Sequence, residues 1–273
     1  MREVHPVLKY PGSKWRIAEW IVSMMPEHKS YLEPFFGSGA VFFTKKPSRI
    51  ETINDLDGEI VNLFRVIRER SEELERAVAL TPYSRKEYEA VWERKNENTD
   101  PVERARRTLI RYWQTHGSRS TTKTGWKNDR CGREYSYAVR YWNCLPAWIR
   151  DIVERLKEAQ IECISALDCI RRFSAEDVLI YADPPYLLET RKGPQYCVEM
   201  GSWEEHEELL EVLKAHPGPV MLSGYESALY DAGLKDWIKM SRKSCCEKGG
   251  KRQEIVWMNF EPQESLWERM IKA

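Results

Sequence analysis

The segment "ADPPYL" (Ala182–Leu187) follows directly on the apolar run Val178–Tyr181. An acid, two prolines and an aromatic ring make an unusual exit from a buried strand. The prolines fix φ twice and remove two N–H donors, so the turn is stiff. Asp183 is then a carboxylate held at a strand end, able to accept hydrogen bonds or a proton. Tyr186 offers a flat ring three residues on. A rigid turn that exposes an aspartate is the plainer alternative.

A second constellation lies in the N-terminal half. "LEPFFGSGAVFF" (Leu32–Phe43) reads as a strand, then Gly37-Ser38-Gly39, then a helix start. Glycines permit a tight turn and close backbone approach to a ligand. A dinucleotide fingerprint would place a third glycine where Phe42 stands, so a pyrophosphate-bound cofactor is disfavoured. A nucleoside-type ligand without phosphates remains compatible. Asp55 follows Gly39 by sixteen residues, at the tip of the next strand. A carboxylate there can accept from both ribose hydroxyls.

Upstream, "KYPGSK" (Lys9–Lys14) is a turn marked by Pro11-Gly12. It would set Tyr10 against a ligand and Lys14 against a carboxylate or phosphate. A surface turn with no further role accounts for it equally simply.

Alternating elements must position these groups. Ser30–Phe36, Ile50–Asp55, Ile161–Leu167, Val178–Asp183, Pro219–Tyr225, Asp236–Arg242 and Gln253–Phe260 are apolar and rich in Ile, Val and aromatics, as strands are. Helical spacing runs over Lys14–Met25, with Ile17, Ile21 and Met24 on one face, and over Gly58–Val78, with Ile60, Leu63, Phe64 and Ile67. Ser202 and Glu205 form a capping-box pattern at the head of 202–216. Strand–helix alternation predicts an α/β fold: a Rossmann-like, mostly parallel seven-stranded sheet.

The whole chain has 273 residues, 42% hydrophobic and 32% charged, with zero formal net charge. These values predict a globular protein, and no apolar run is long enough to span a bilayer. The N-terminus lacks an apolar signal core, so a cytoplasmic location is expected. Seven cysteines are scattered, with no Cys/His cluster at zinc spacing, so no metal is expected. The neutral total conceals an asymmetry. Between Pro101 and Arg150, eleven Lys/Arg stand against three acids, a formal +8, with eight aromatics interleaved. Basic residues among aromatics suit phosphate contacts with stacking side chains, and a solvated helical cap shares the composition.

"LKYPGSK", "EPFFGSGAVFF", "INDLD" and "YADPPYLLETR", in this order, resemble the Dam-type, D12-class DNA adenine-N6 methyltransferases. The resemblance extends to "LSGYES" (Leu222–Ser227) and "EIVWMNF" (Glu254–Phe260). It implies S-adenosylmethionine as cofactor, held by Tyr10, Lys14, Pro34, Phe35, Gly37, Gly39, Asp55 and Asp183. It also implies a catalytic domain of residues 1–65 and 159–273, with a helical target-recognition insert at 66–158. Arg119, Lys123, Trp126, Lys127 and Arg130 are the expected DNA contacts. Double-stranded DNA is the expected partner of a monomeric enzyme, with a cognate restriction endonuclease as a second candidate. Tyr10 stands where the best-known members carry Trp, and the insert differs from those that read GATC, so site specificity does not carry over.

The resemblance gives the Asp-Pro-Pro-Tyr turn a chemistry. The N6 lone pair of adenine is delocalised into the ring, so the amine is a poor nucleophile. Asp183 and the carbonyl of Pro184 would accept its two N–H bonds as the nitrogen becomes tetrahedral. Tyr186 would stack on the flipped-out base. The expected function is therefore methyl transfer to adenine N6 in duplex DNA. Cytosine-N4 methylation is a rival, usually with Ser in place of Asp183. RNA or protein amide methylation, typically with Asn before the prolines, is another. A catalytically idle DNA-binding protein of the same fold is the third.

Overall fold

The computed structural model describes residues 4–93, 100–118, 123–130, 135–191, 193, 195–245 and 251–262. The chain divides into two compact units. One comprises Lys14–Leu56, Ala159–Pro194 and Val198–Ala273; the other comprises Met1–Ser13, Asp57–Glu158 and Gln195–Cys197.

The first unit holds the seven-stranded sheet. Its strands are β1 (Ser30–Glu33), β2 (Ile50–Asn54), β3 (Ala159–Glu162), β4 (Val178–Ala182), β5 (Val220–Gly224), β6 (Ile238–Cys245) and β7 (Lys251–Met258). Their spatial order is β3-β2-β1-β4-β5-β7-β6. All neighbours pair in parallel from β3 to β5, and β7 runs antiparallel between β5 and β6. All five residues of β4 and of β5 are buried, the pattern of strands covered on both faces. Helices α1 (Ala18–Ser23), α2 (Ala40–Thr44), α8 (Ala166–Arg172), α9 (Trp203–Lys214) and α10 (Ala228–Gly233) belong to this unit. Leu209, Leu210 and Leu213 of α9 share a core with Ile180 and Leu222. The predicted capping box is present: Ser202 accepts from the Glu205 amide, and Glu205 reaches back to the Ser202 amide.

Helices α3 (Gly58–Glu69), α4 (Ser71–Ala79), α5 (Arg85–Glu93), α6 (Pro101–Gln114) and α7 (Tyr137–Lys157) form the second unit. Ile60, Leu63, Phe64 and Ile67 are all buried, and α3 packs on α6 and α7. None of the helices among the described residues is long and apolar enough to cross a membrane.

Two expectations need correction. The continuous helical spacing of 58–78 is broken at Arg70, whose backbone leaves the helical region (φ −138°). Its guanidinium pairs with Glu73 and Asp100. The strand expected at 161–167 lies earlier, at Ala159–Glu162, and α8 begins at Ala166. The buried Asn54 explains the early exit. Its amide nitrogen donates to the Ile164 carbonyl (3.1 Å) and its carbonyl accepts from the Ile164 amide (3.0 Å). The backbone bonds a continuing strand would use go to a side chain instead.

Candidate active site at the carboxyl ends of β1 and β4

Chain order reverses between β1 and β4: β2 and β3 lie beyond one, β5 beyond the other. In open α/β sheets, ligands bind outside the carboxyl ends of the strands at such a switch point. β1 ends at Glu33 and leads into Pro34-Phe35-Phe36-Gly37. β4 ends at Ala182 and leads into Asp183-Pro184-Pro185-Tyr186. Both motifs singled out in the sequence therefore leave the sheet at this end.

The glycine turn is held from β2. The Gly37 amide donates to Oδ2 of Asp55 (2.8 Å), and the Phe36 amide donates to the Asn54 carbonyl (2.9 Å). The Asn54 side-chain amide also donates to the carbonyl of buried Pro34 (2.9 Å). Phe35 is half-buried against the β4–α9 core. Gly37 and Gly39 have φ of 50° and 66°, in the left-handed region. A Cβ on Gly39 would lie 2.4 Å from the Phe36 ring and 2.7 Å from the Phe43 ring. Aromatic packing is thus a further reason for glycine at this position. Asp55 spends one oxygen on the turn, a use the sequence spacing did not suggest.

At β4, Nζ of Lys14 lies 2.9 Å from Oδ2 of Asp183 and 4.9 Å from the centroid of the Tyr186 ring. The Tyr186 hydroxyl lies 3.2 Å from Oδ1 of Asp183 and 2.9 Å from Oε2 of Glu254. Burial pushes the Asp183 carboxyl above the usual carboxylate range. The Lys14 ammonium pulls it back, and the Glu254 charge adds to the rise. Tyr225 meets the Tyr186 ring at a centroid distance of 4.5 Å and 70°. Arg191, itself buried, donates from Nε to the Tyr186 carbonyl (2.5 Å) and forks onto the Glu199 carboxylate. Pro184 is buried between these groups in the chain.

Beneath this cluster, Glu33 is almost fully enclosed and accepts from the Tyr31 hydroxyl (2.8 Å). Burial, with the Asp183 charge adding to it, pushes this carboxyl up to about 8. The neighbouring Lys45–Glu51 pair is also buried, at 2.5 Å, with the Lys45 ammonium 4.4 Å from the Tyr31 ring centroid.

Tyr10 belongs to the helical unit. Its ring packs at 5.5 Å from Tyr112 and 5.6 Å from Tyr196. Gly12 has φ 71°, and a Cβ there would come within 2.5 Å of the Tyr196 hydroxyl. The expected DNA contacts belong to the same unit. Thr115 and Trp126 form an antiparallel bridge, and the Lys127 amide donates to the Gln114 carbonyl (2.7 Å). Trp126 is half-buried: its Nε1 donates to Gln114 (3.1 Å), and the Arg85 guanidinium lies over its ring at 5.1 Å. Lys123 and Arg130 are exposed. Arg119 lies outside the described residues.

Lys14, Asp183 and Tyr186 thus come together in the sheet unit, as do Gly37 and Asp55. Glu254, Arg191, Glu199, Asn54 and Glu33 carried no expectation. Only Glu254 and Glu33 had a sequence signal, an acid abutting an apolar strand.

Residues 10–247 match the family described as D12 class N6 adenine-specific DNA methyltransferase. The chain is 24% identical to a DNA adenine methylase of Salmonella typhi over 93% of this chain and 94% of that one. The DNA adenine methylase of Escherichia coli K12 gives the same identity and coverage. It is 28% identical to the type II methyltransferase M1.LlaDCHI of Lactococcus lactis subsp. cremoris, over 94% and 96% of the two chains. The chain belongs to the D12 class of N6 adenine-specific DNA methyltransferases.

Proposed function

We propose that the chain methylates N6 of an adenine flipped out of duplex DNA, with S-adenosylmethionine as donor. The observation that carries this reading is the buried Lys14–Asp183–Tyr186 cluster at the carboxyl end of β4. The donor set beside β1 fits the cofactor: a left-handed glycine turn for close backbone approach and the Asp55 carboxylate at the tip of β2. Pro34, Phe35, Gly37, Gly39 and Asp55 would hold its nucleoside and methionine parts, with Tyr10 and Lys14 assigned by their motif. When bound, S-adenosylmethionine supplies an electrophilic methyl group on a sulfonium.

The protein's own work is orientation and proton acceptance. Asp183 accepts one N6–H, and the Pro184 carbonyl accepts the other. The nitrogen lone pair is then freed from conjugation with the ring. Lys14 keeps Asp183 available as an acceptor against the burial that raises its proton affinity. The ring of Tyr186 stacks on the extruded base. Lys123, Trp126, Lys127 and Arg130 of the helical unit, with Arg119, contact the duplex. The type II methyltransferase of Lactococcus lactis among the relatives supports restriction–modification as the setting. A monomeric enzyme with a cognate restriction endonuclease as partner is the arrangement proposed. A DNA substrate favours the cytoplasm as the site of action.

Single-turnover transfer of labelled methyl to an adenine-containing duplex tests the reading. Asp183→Asn keeps shape and one acceptor but loses the charge, so its rate should fall roughly 10²-fold or more with DNA affinity retained. A parental rate for Asp183→Asn would remove the carboxylate from the mechanism.

A further inference from the structure

A phenol carries one O–H donor. The Tyr186 hydroxyl nevertheless faces two carboxylates, Asp183 at 3.2 Å and Glu254 at 2.9 Å. The shorter contact is to Glu254, and the other oxygen of Asp183 is already engaged by Lys14. The sheet explains how Glu254 reaches this place. β7 runs antiparallel to β5, and Ile255 pairs with Gly224, the last residue of β5. Glu254 therefore sits at the carboxyl end of the parallel strands, where Asp183 also lies.

We infer that Glu254 is a positioning residue for methyl transfer: it takes the hydrogen bond of the Tyr186 hydroxyl, orients the ring, and leaves Oδ1 of Asp183 to the substrate amine. This rests on the reading of Asp183 as the N6 acceptor. Arg191 holds the carbonyl of Tyr186 while Glu254 holds its hydroxyl, so the residue is fixed at both ends. The Glu254 charge has a second effect, since it raises the proton affinity of the Asp183 carboxyl.

The charged and titratable groups around Asp183 are Lys14 before α1, Glu33 of β1, Tyr181 of β4, Tyr186, Tyr230 of α10 and Glu254 of β7. Arg242 of β6 lies opposite Glu254 in the sheet register. Burial drives the phenols of Tyr181, Tyr186 and Tyr230 upward, away from the acid side. Burial also pushes the Glu33 carboxyl up to about 8, so a step there belongs to Glu33 and is common to the parent and Glu254→Gln.

The test is the pH profile of single-turnover methylation for the parent and Glu254→Gln. The parent should methylate the adenine duplex and lose rate on the acid side as Asp183 protonates. A parent without adenine methylation overturns the underlying reading and is distinguishable from every result below. Glu254→Gln should lower the plateau about tenfold, the scale of a hydrogen bond to a charged partner. It should also move the acid limb to lower pH by roughly half a unit or more, because a negative neighbour is gone. A parental plateau and limb overturn the inference. So does a slowed enzyme with an unmoved limb, which is plain structural support. If thermal melting shows that Glu254→Gln does not fold, Glu254→Asp serves: charge kept, reach shortened, rate lowered with the limb held. A parental rate for Glu254→Asp overturns the inference equally.

Discussion

The ammonium of Lys14 stands 2.9 Å from a carboxylate oxygen of Asp183, with the two side chains 6% and 19% exposed. Burial alone favours the neutral acid, and the cation opposes it. The pair is therefore less a source of stability than a counterweight to the burial that raises the proton affinity of the proposed acceptor. Lys14→Met should raise the acid limb of single-turnover methylation by about 1–3 pH units, the effect of losing an adjacent opposite charge. This is opposite in sign to the shift from Glu254→Gln. A limb that stays in place would show that Lys14 does not set the charge of Asp183.

Asp55 binds the turn that the cofactor is proposed to meet. Its carboxylate accepts from the Gly37 amide at 2.8 Å. Asp55→Ala frees that amide as well as removing the acceptor proposed for the ribose, so S-adenosylmethionine affinity should drop by about 1–3 kcal/mol. Asp55→Asn keeps a carbonyl acceptor for the Gly37 amide and should lose less. Calorimetry resolves the two variants, and equal affinity for parent and Asp55→Ala would exclude Asp55 from the site.

Arg191 acts on the proposed chemistry through the backbone. Its Nε bond to the Tyr186 carbonyl and its fork onto Glu199 use the planar guanidinium at two places. A lysine cannot make both contacts. Arg191→Lys should therefore cut the single-turnover rate between about 10- and 100-fold, the cost of a small misplacement of catalytic groups. The KM for DNA should hold. A variant that changes KM and leaves kcat intact would assign Arg191 to substrate binding.

Glu33 links the site to stability. Burial pushes its folded-state carboxyl up to about 8, whereas in the unfolded chain it ionises in the ordinary carboxylate range. The unfolded state thus releases its proton first, and stability falls as pH rises between the two values. Glu33→Gln, an isostere of the neutral acid, lacks this loss. Urea melts of the two proteins should be similar near pH 5 and diverge in favour of Glu33→Gln by about 3–5 kcal/mol at pH 9. A constant difference across that range would mean that Glu33 is ionised in the fold.

How much of this was legible in the sequence depends on the range of each interaction. The strands β1, β2, β4, β5 and β7 and the Ser202 cap follow from local pattern, because burial on both faces and capping leave local signatures. The division of 58–78 falls at Arg70, whose guanidinium reaches the distant Asp100, and the early end of β3 depends on Asn54, far away in sequence. Asp183 and Tyr186 stood out because proline spacing is local. Glu254 and Arg191 reach Tyr186 only through the fold. The rings of Phe36 and Phe43 give Gly39 a packing reason to lack a Cβ, beside the ligand contact proposed for it. Counting charge had a similar weakness. Of the eleven cations between Pro101 and Arg150, Arg104 pairs with Glu59, Arg106 with Glu87 and Glu103, Arg107 with Glu103, and Arg150 with Glu75. Three of these acids lie outside the counted window.

That pairing sharpens the expectation for DNA. A cation already neutralised by a carboxylate has little counterion release to contribute, whereas an exposed one contributes close to a full phosphate neutralisation. Lys123, Arg130 and Arg150 are all exposed, but Arg150 is paired with Glu75, as the less exposed Arg104 is with Glu59. The double substitution Lys123→Ala/Arg130→Ala should weaken binding and reduce the slope of log affinity against log salt by about 0.9 for each phosphate no longer neutralised. Arg104→Gln and Arg150→Gln should leave the slope near the parental value. Anisotropy of a labelled duplex, titrated from about 50 to 200 mM salt, reads both quantities together. Equal slope reductions from the two pairs would mean that bulk charge governs binding, and an unchanged slope in Lys123→Ala/Arg130→Ala would separate that segment from the DNA.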